Sequence, residues 1–208
     1  MRHWQITSLS LALLVLTGCG GMSASECELA DWESVGYADG ARGRTVEAFD
    51  QRRQSCARHD VAPDFKAYQS GRDAGLTEYC QPAKAYRLGA QGGAYYGVCP
   101  GALGARFYDS YLEGRLLFDL ESAVNRSTRQ IAANQARMDA IEIQLAENIA
   151  AQFSDIVTPE RRAILLIETR QLAEERVTLA GEVDRLEVQL EQQRQELDDY
   201  RQEMVARR

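Results

Sequence analysis

The residues of this chain with the most definite chemistry are its five cysteines: Cys19, Cys27, Cys56, Cys80 and Cys99. The last four form an even set, which in an exported chain implies two disulfides. Zinc would be the rival use, but no Cys-x-x-Cys pair occurs and His59 is the one histidine after His3;. The same scarcity removes Ser/His/Asp catalysis, and the lack of a Cys-x-x-Cys pair removes dithiol redox chemistry. A paired-carboxylate hydrolase needs two acids facing one cleft. Here the acids fall mainly along an extended helical surface. We therefore expect no enzyme, no cofactor and no metal, and His59 reads as a helix-end surface residue.

Cys19 has a different context. Arg2 and His3 precede an apolar run from Ile6 to Leu16, followed by small residues, the layout of an export signal;. The run falls short of the roughly 20 apolar residues that a membrane-spanning helix needs. Leu16-Thr17-Gly18-Cys19 resembles a bacterial lipobox. The resemblance implies a signal peptide over 1–18, cleavage after Gly18 and acyl chains on Cys19, and several chains anchor stably where one does not. Gly20 in place of Asp after the cysteine implies, in a Gram-negative cell, sorting to the outer membrane, with the protein facing the periplasm. Residues 19–26 then read as a short lipidated tether, small and flexible.

Between Cys27 and Cys99 the helices must be placed by punctuation. A helix is predicted from Ala30 or Asp31 to about Arg58, ending where Pro63 disfavours helical geometry in the residue before it;. Asp64 caps a second helix through Phe65, Tyr68 and Leu76 to about Tyr79. Pro82 interrupts, and a third segment covers about 84–96. Up-down-up packing of three such helices places Cys27 with Cys80 and Cys56 with Cys99. Those are the favoured pairings, with all three connectivities open.

Tyr-x-x-Gly units recur at Tyr37–Gly40, Tyr68–Gly71 and Tyr86–Gly89, with a looser copy at Tyr111–Gly114. Gly36 and Gly40, Gly71 and Gly75, and Gly89 and Gly93 each lie four apart, on one helix face;. A helix-interior glycine costs about 1 kcal/mol relative to alanine, so the pattern needs a use. Either two backbones approach closely there, or the glycines line a groove for a ligand between Tyr faces. Under the second reading Trp32, Tyr37, Asp39, Tyr68, Arg72 and Tyr86 are the candidate binding residues; under the first, the polar ones cap helices and pair within the head. Phosphate binding is excluded, since no Gly-rich loop follows a strand.

Asp31-Trp32, Gly36-Tyr37-Ala38-Asp39-Gly40, Val61-Ala62-Pro63-Asp64, Ala67-Tyr68-Gln69-Ser70-Gly71-Arg72, Gly75-Leu76, Tyr79-Cys80 and Gly97-Val98-Cys99-Pro100, taken with the lipobox, resemble an uncharacterised bacterial lipoprotein family. It is catalogued as a domain of unknown function, and the resemblance covers roughly residues 27–120. It implies an envelope location and a small head, and no chemistry.

Beyond about Ala105 the pattern changes. Leu116, Leu117, Leu120 and Val124 form an apolar stripe, and Ile131, Met138 and Leu145 recur every seven residues with Ile141 interleaved;. Residues 154–159 break the helix, with Thr158 suited to an N-cap and Pro159 to the first helical position. Leu165, Leu172, Leu179, Leu186 and Tyr200 then alternate with Val183, Leu190, Leu197 and Met204, a coiled-coil seam weakened by Thr169, Arg176 and Gln193;. Two arms of similar length, each spanning roughly 70 Å at helical rise, joined by a short break, predict an antiparallel hairpin.

The expectation is an all-α protein: a disulfide-braced head over 27–104 and a coiled-coil hairpin over 105–208. The formal net charge is −7, and residues 105–208 hold 14 Arg against 20 acids. The head is thus near neutral and nucleic acid is excluded as a partner, because acidic chains are repelled by phosphate backbones. The expected function is a non-catalytic, membrane-anchored envelope lipoprotein. Its expected partners are the membrane through Cys19, and an envelope protein or a second copy through the coiled coil. The alternatives are a peptidoglycan- or glycan-binding head, and a hairpin adaptor of a trans-envelope complex that uses a tip around Phe153–Thr158.

Overall fold

The computed structural model of the chain describes residues 21–207; Cys19, its lipobox and the expected signal peptide lie outside them. The described residues are all-α, with seven helices and no strand. They divide into two compact units, one ending at Tyr79 and one beginning at Cys80.

The first unit holds α1 (Ala24–Leu29), α2 (Trp32–Ala41), α3 (Glu47–Ala57) and α4 (Phe65–Tyr79). Residues expected to form a flexible tether are instead built in. Ser23 caps α1 in a reciprocal capping box with Glu26;, and Cys27, expected to open the head, is already mid-helix. The single helix expected from 30 to 58 is two. Gly43 at φ 67° turns the chain between them, a left-handed conformation costly for residues with a Cβ. Asp31 caps α2 through the amides of Glu33 and Ser34; α4 runs as expected, with the Asp64 carboxylate accepting from Ala67 N. Trp32, Phe49, Tyr68 and the Cys27–Cys56 bridge form the core.

The second unit holds α5 (Pro82–Ala90), α6 (Gly101–Gln152) and α7 (Pro159–Ala206). The expected head boundary at 104 has no counterpart, because α6 runs unbroken through it. Its first turns pack on α5, and its remainder pairs with α7. Hydrogen bonds join Ser127 to Gln193, Asn134 to Glu182 and Gln152 to Thr169, so partner numbers fall as α6 numbers rise. The pairing is antiparallel, as the equal arms required. Ile131, Ile141, Leu165, Val183, Leu190 and Leu197 are buried. Thr158 caps α7 through Arg161 N, with Pro159 at its first position;.

The disulfide pairing differs from the favoured one. Cys27 bonds Cys56 and Cys80 bonds Cys99, with Cα–Cα distances of 5.6 and 5.7 Å. The expectation assumed three helices in one bundle. With an extra turn at Gly43, and α5 packed on α6, each bridge closes within its own unit.

Candidate functional site

The glycines sit at helix–helix seams. In the first unit α2 and α4 cross so closely that a methyl group on Gly36 or Gly40 would overlap the carbonyl oxygen of Tyr68 or Arg72. On the facing helix, one on Gly71 or Gly75 would overlap that of Glu33 or Tyr37. In the second unit Gly89 of α5 meets Tyr111 of α6, and Gly114 meets Tyr86, in the same way. Of the two uses foreseen for the pattern, close packing holds for these six glycines. Gly93 departs from it, since its neighbour is the Leu88 side chain.

The two units repeat one design. Tyr37-x-x-Gly40-x-x-Gly43 is matched by Tyr86-x-x-Gly89-x-x-Gly92, and Gly43 and Gly92 share the left-handed region at φ 67° and 73°. Cys56 precedes Tyr68-x-x-Gly71-Arg72 by the same interval at which Cys99 precedes Tyr111-x-x-Gly114-Arg115. Aromatic rings follow suit. Phe49 lies 5.0 Å from Phe65 and 4.7 Å from Tyr68, while Tyr95 lies 6.3 Å from Tyr108 and 5.8 Å from Tyr111. The four Tyr-x-x-Gly units are thus two pairs, each with its own disulfide. Equal Cys-to-Tyr spacing was the sequence signal for this.

Against that frame the candidate binding residues separate. Asp39 is fully buried; its carboxylate takes both terminal nitrogens of Arg52 and, at 2.9 Å, the Tyr68 hydroxyl, with Arg44 at 3.8 Å. Burial, then the hydrogen bond to Asp39, pushes the Tyr68 hydroxyl up to about 12;. Arg72 donates to the Arg44 carbonyl, and its Nε is buried without a hydrogen-bond partner. Trp32 is in the core, edge-on to Phe49. Tyr37 is exposed, and its hydroxyl donates to Glu78 at 2.6 Å, which holds its proton more tightly than usual. Tyr86 belongs to the second unit. Asp39, Tyr68 and Arg72 therefore cluster, but around each other, and of the candidate residues in the first unit Tyr37 alone presents an open ring. His59 is exposed just past α3, its Nε2 3.2 Å from the Met22 carbonyl.

In the hairpin the seam polar residues find partners. Ser127 Oγ donates to Gln193 Oε1 at 2.8 Å, Asn134 Nδ2 to Glu182 at 3.2 Å, and Gln152 Nε2 to Thr169 Oγ1 at 3.3 Å. Arg176 leaves the seam, exposed, 4.0 Å from Glu142. Arg137 grips Glu175 with two nitrogens;. At the tip the balance reverses: Phe153 and Ile156 are 83 % and 93 % exposed, with Ile149 and Ile164 about half exposed nearby. Among the described residues no three His, Cys, Asp or Glu come together to hold a metal. No described helix is long and apolar enough to cross a membrane.

Residues 31–116 match the family described as "Protein of unknown function (DUF2799)". The matched span opens at the α2 N-cap and closes just past Gly114, so it holds both glycine seams and leaves most of the hairpin outside. No curated protein and no solved structure matches the chain.

Proposed function

We propose that this chain is a non-catalytic envelope lipoprotein, held to the membrane, facing the periplasm, through lipid on Cys19, that works by binding a protein through the tip of its hairpin. The observation that carries the reading is the distribution of unsatisfied surface. Asp39, Arg52 and Tyr68 spend their polar groups on each other, and the seam residues of α6 and α7 do likewise. The tip instead presents Phe153 and Ile156 to solvent. Single exposed apolar residues are ordinary, but several at one convex end mark an interaction surface.

The test is affinity capture from gently solubilised envelopes, comparing the full lipoprotein with Phe153→Ser/Ile156→Ser. A protein held by the former and lost by the latter supports the reading. Retention of the same protein by both removes the tip. A glycan-binding head is less well supported, because Tyr68 is buried with its hydroxyl donated to Asp39. Saturable binding of muropeptides by the full chain, abolished by Tyr37→Ala, would restore it.

A further inference from the structure

The start of the described chain is held rather than free. Ser55 Oγ donates to the Met22 carbonyl at 3.2 Å, and His59 Nε2 lies 3.2 Å from the same oxygen. A methyl group on Gly21 would overlap Ser55 Oγ and the Arg58 guanidinium. The Met22 side chain packs on the Cys27, Trp32 and Cys56 core, and the Cys27–Cys56 bridge joins α1 to α3. The backbone is therefore fixed from Gly21 onward, and Gly20 alone separates it from Cys19. Each residue of extended chain spans at most about 3.6 Å, so the Cys19 Cα can lie no more than about 7 Å from that of Gly21.

This length leaves no room for a spacer between a lipid on Cys19 and the folded unit. The surface around the entry point has the chemistry such a position requires. Leu29 is 85 % exposed and, with Met22, Ser25, Glu26 and Ala30, borders an open hollow. The Glu26 carboxylate is turned back onto the Ser23 amide and hydroxyl, each at 2.8 Å. The Arg58 guanidinium is exposed at the C-terminal end of α3, and His59 follows it beside Met22.

We infer that the face formed by α1 and the C-terminal end of α3 rests on the bilayer surface, with Leu29 entering the headgroup–acyl boundary and Arg58 facing lipid phosphates. The occupant is the membrane because the anchor is two residues away, and an apolar side chain there gains burial while Arg58 stays at headgroup level. The inference rests on the lipid-anchor reading of Cys19.

The experiment uses the full chain from residue 19. With the other four cysteines paired, the Cys19 thiol is coupled to a maleimide phospholipid in vesicles of phosphatidylethanolamine and phosphatidylglycerol. An environment-sensitive fluorescent amino acid replaces Leu29 or, as control, Val46, which is exposed at the opposite end of α3, about 15 Å away along the helix axis;. Lipids carrying a quencher just below the headgroup should quench the Leu29 probe severalfold more than the Val46 probe, with a blue shift only when vesicles are present. Equal quenching overturns the inference. So does a blue shift without vesicles that grows with protein concentration, which would place a second copy on this face. Mass spectrometry of the N-terminus from cells separates the two levels. Unmodified Cys19 removes the anchor and the docking face together, whereas acylated Cys19 with an unquenched Leu29 probe removes the docking face alone.

Discussion

Asp39 holds Arg52 and Tyr68 in a water-poor position, so its charge matters more than its volume. Asp39→Asn leaves Arg52 without its counter-ion and should destabilise the first unit by about 3 kcal/mol. Denaturant titration followed by Trp32 fluorescence measures this directly, since Trp32 is the one tryptophan after residue 18. Tyr68 adds a pH dependence. Its hydroxyl titrates near 12 when folded and near 10 when unfolded;. The folded state therefore keeps a proton that the unfolded chain has lost. The contribution is complete below about pH 10 and is lost as pH rises toward 12. Tyr68→Phe should flatten that part of the stability profile relative to the parent chain.

Glycine substitutions divide the helices by what surrounds them. Gly71→Ala drives a methyl group into the Glu33 carbonyl and must spread α2 from α4, with an expected loss of roughly 1–3 kcal/mol. Gly181, in α7, has open space around it, and Gly181→Ala should stabilise the hairpin by about 1 kcal/mol. Thermal melting of the two variants should move in opposite directions. The bridges are tested at the same scale. Proteolysis without reductant should release a Cys27–Cys56 peptide pair and a separate Cys80–Cys99 pair, and replacing Cys27 and Cys56 by Ser should cost about 3 kcal/mol.

For the molecule as a whole, the hairpin is the part whose integrity depends on contacts far apart in sequence. Leu190→Asp places a charge in the buried cluster of Ile131 and Val183. Circular dichroism should show loss of helix as α7 separates, while the Trp32 signal of the first unit stays native. Sedimentation of the parent chain across a concentration range reports whether the exposed apolar residues of α6 and α7 also draw two copies together.

The long-range helical pattern was legible because its period is local: Leu165, Leu172, Leu179 and Leu186 face one side of any helix that contains them, and Thr158-Pro159 announces where that helix starts. The presence of two disulfides was legible for a similar reason, from cysteine count and expected compartment. Which cysteines pair was not, because pairing depends on where the chain turns, and Gly43 looks like any helix-interior glycine until its φ is known. Close packing at Gly36, Gly40, Gly71 and Gly75 and a ligand groove leave the same spacing in sequence. Only the facing carbonyls of Glu33, Tyr37, Tyr68 and Arg72 decide between them. Likewise Asp39 is one acid among 31 by sequence. Its burial comes from α3 and α4 bringing Arg52 and Tyr68 onto α2, which tertiary packing alone sets.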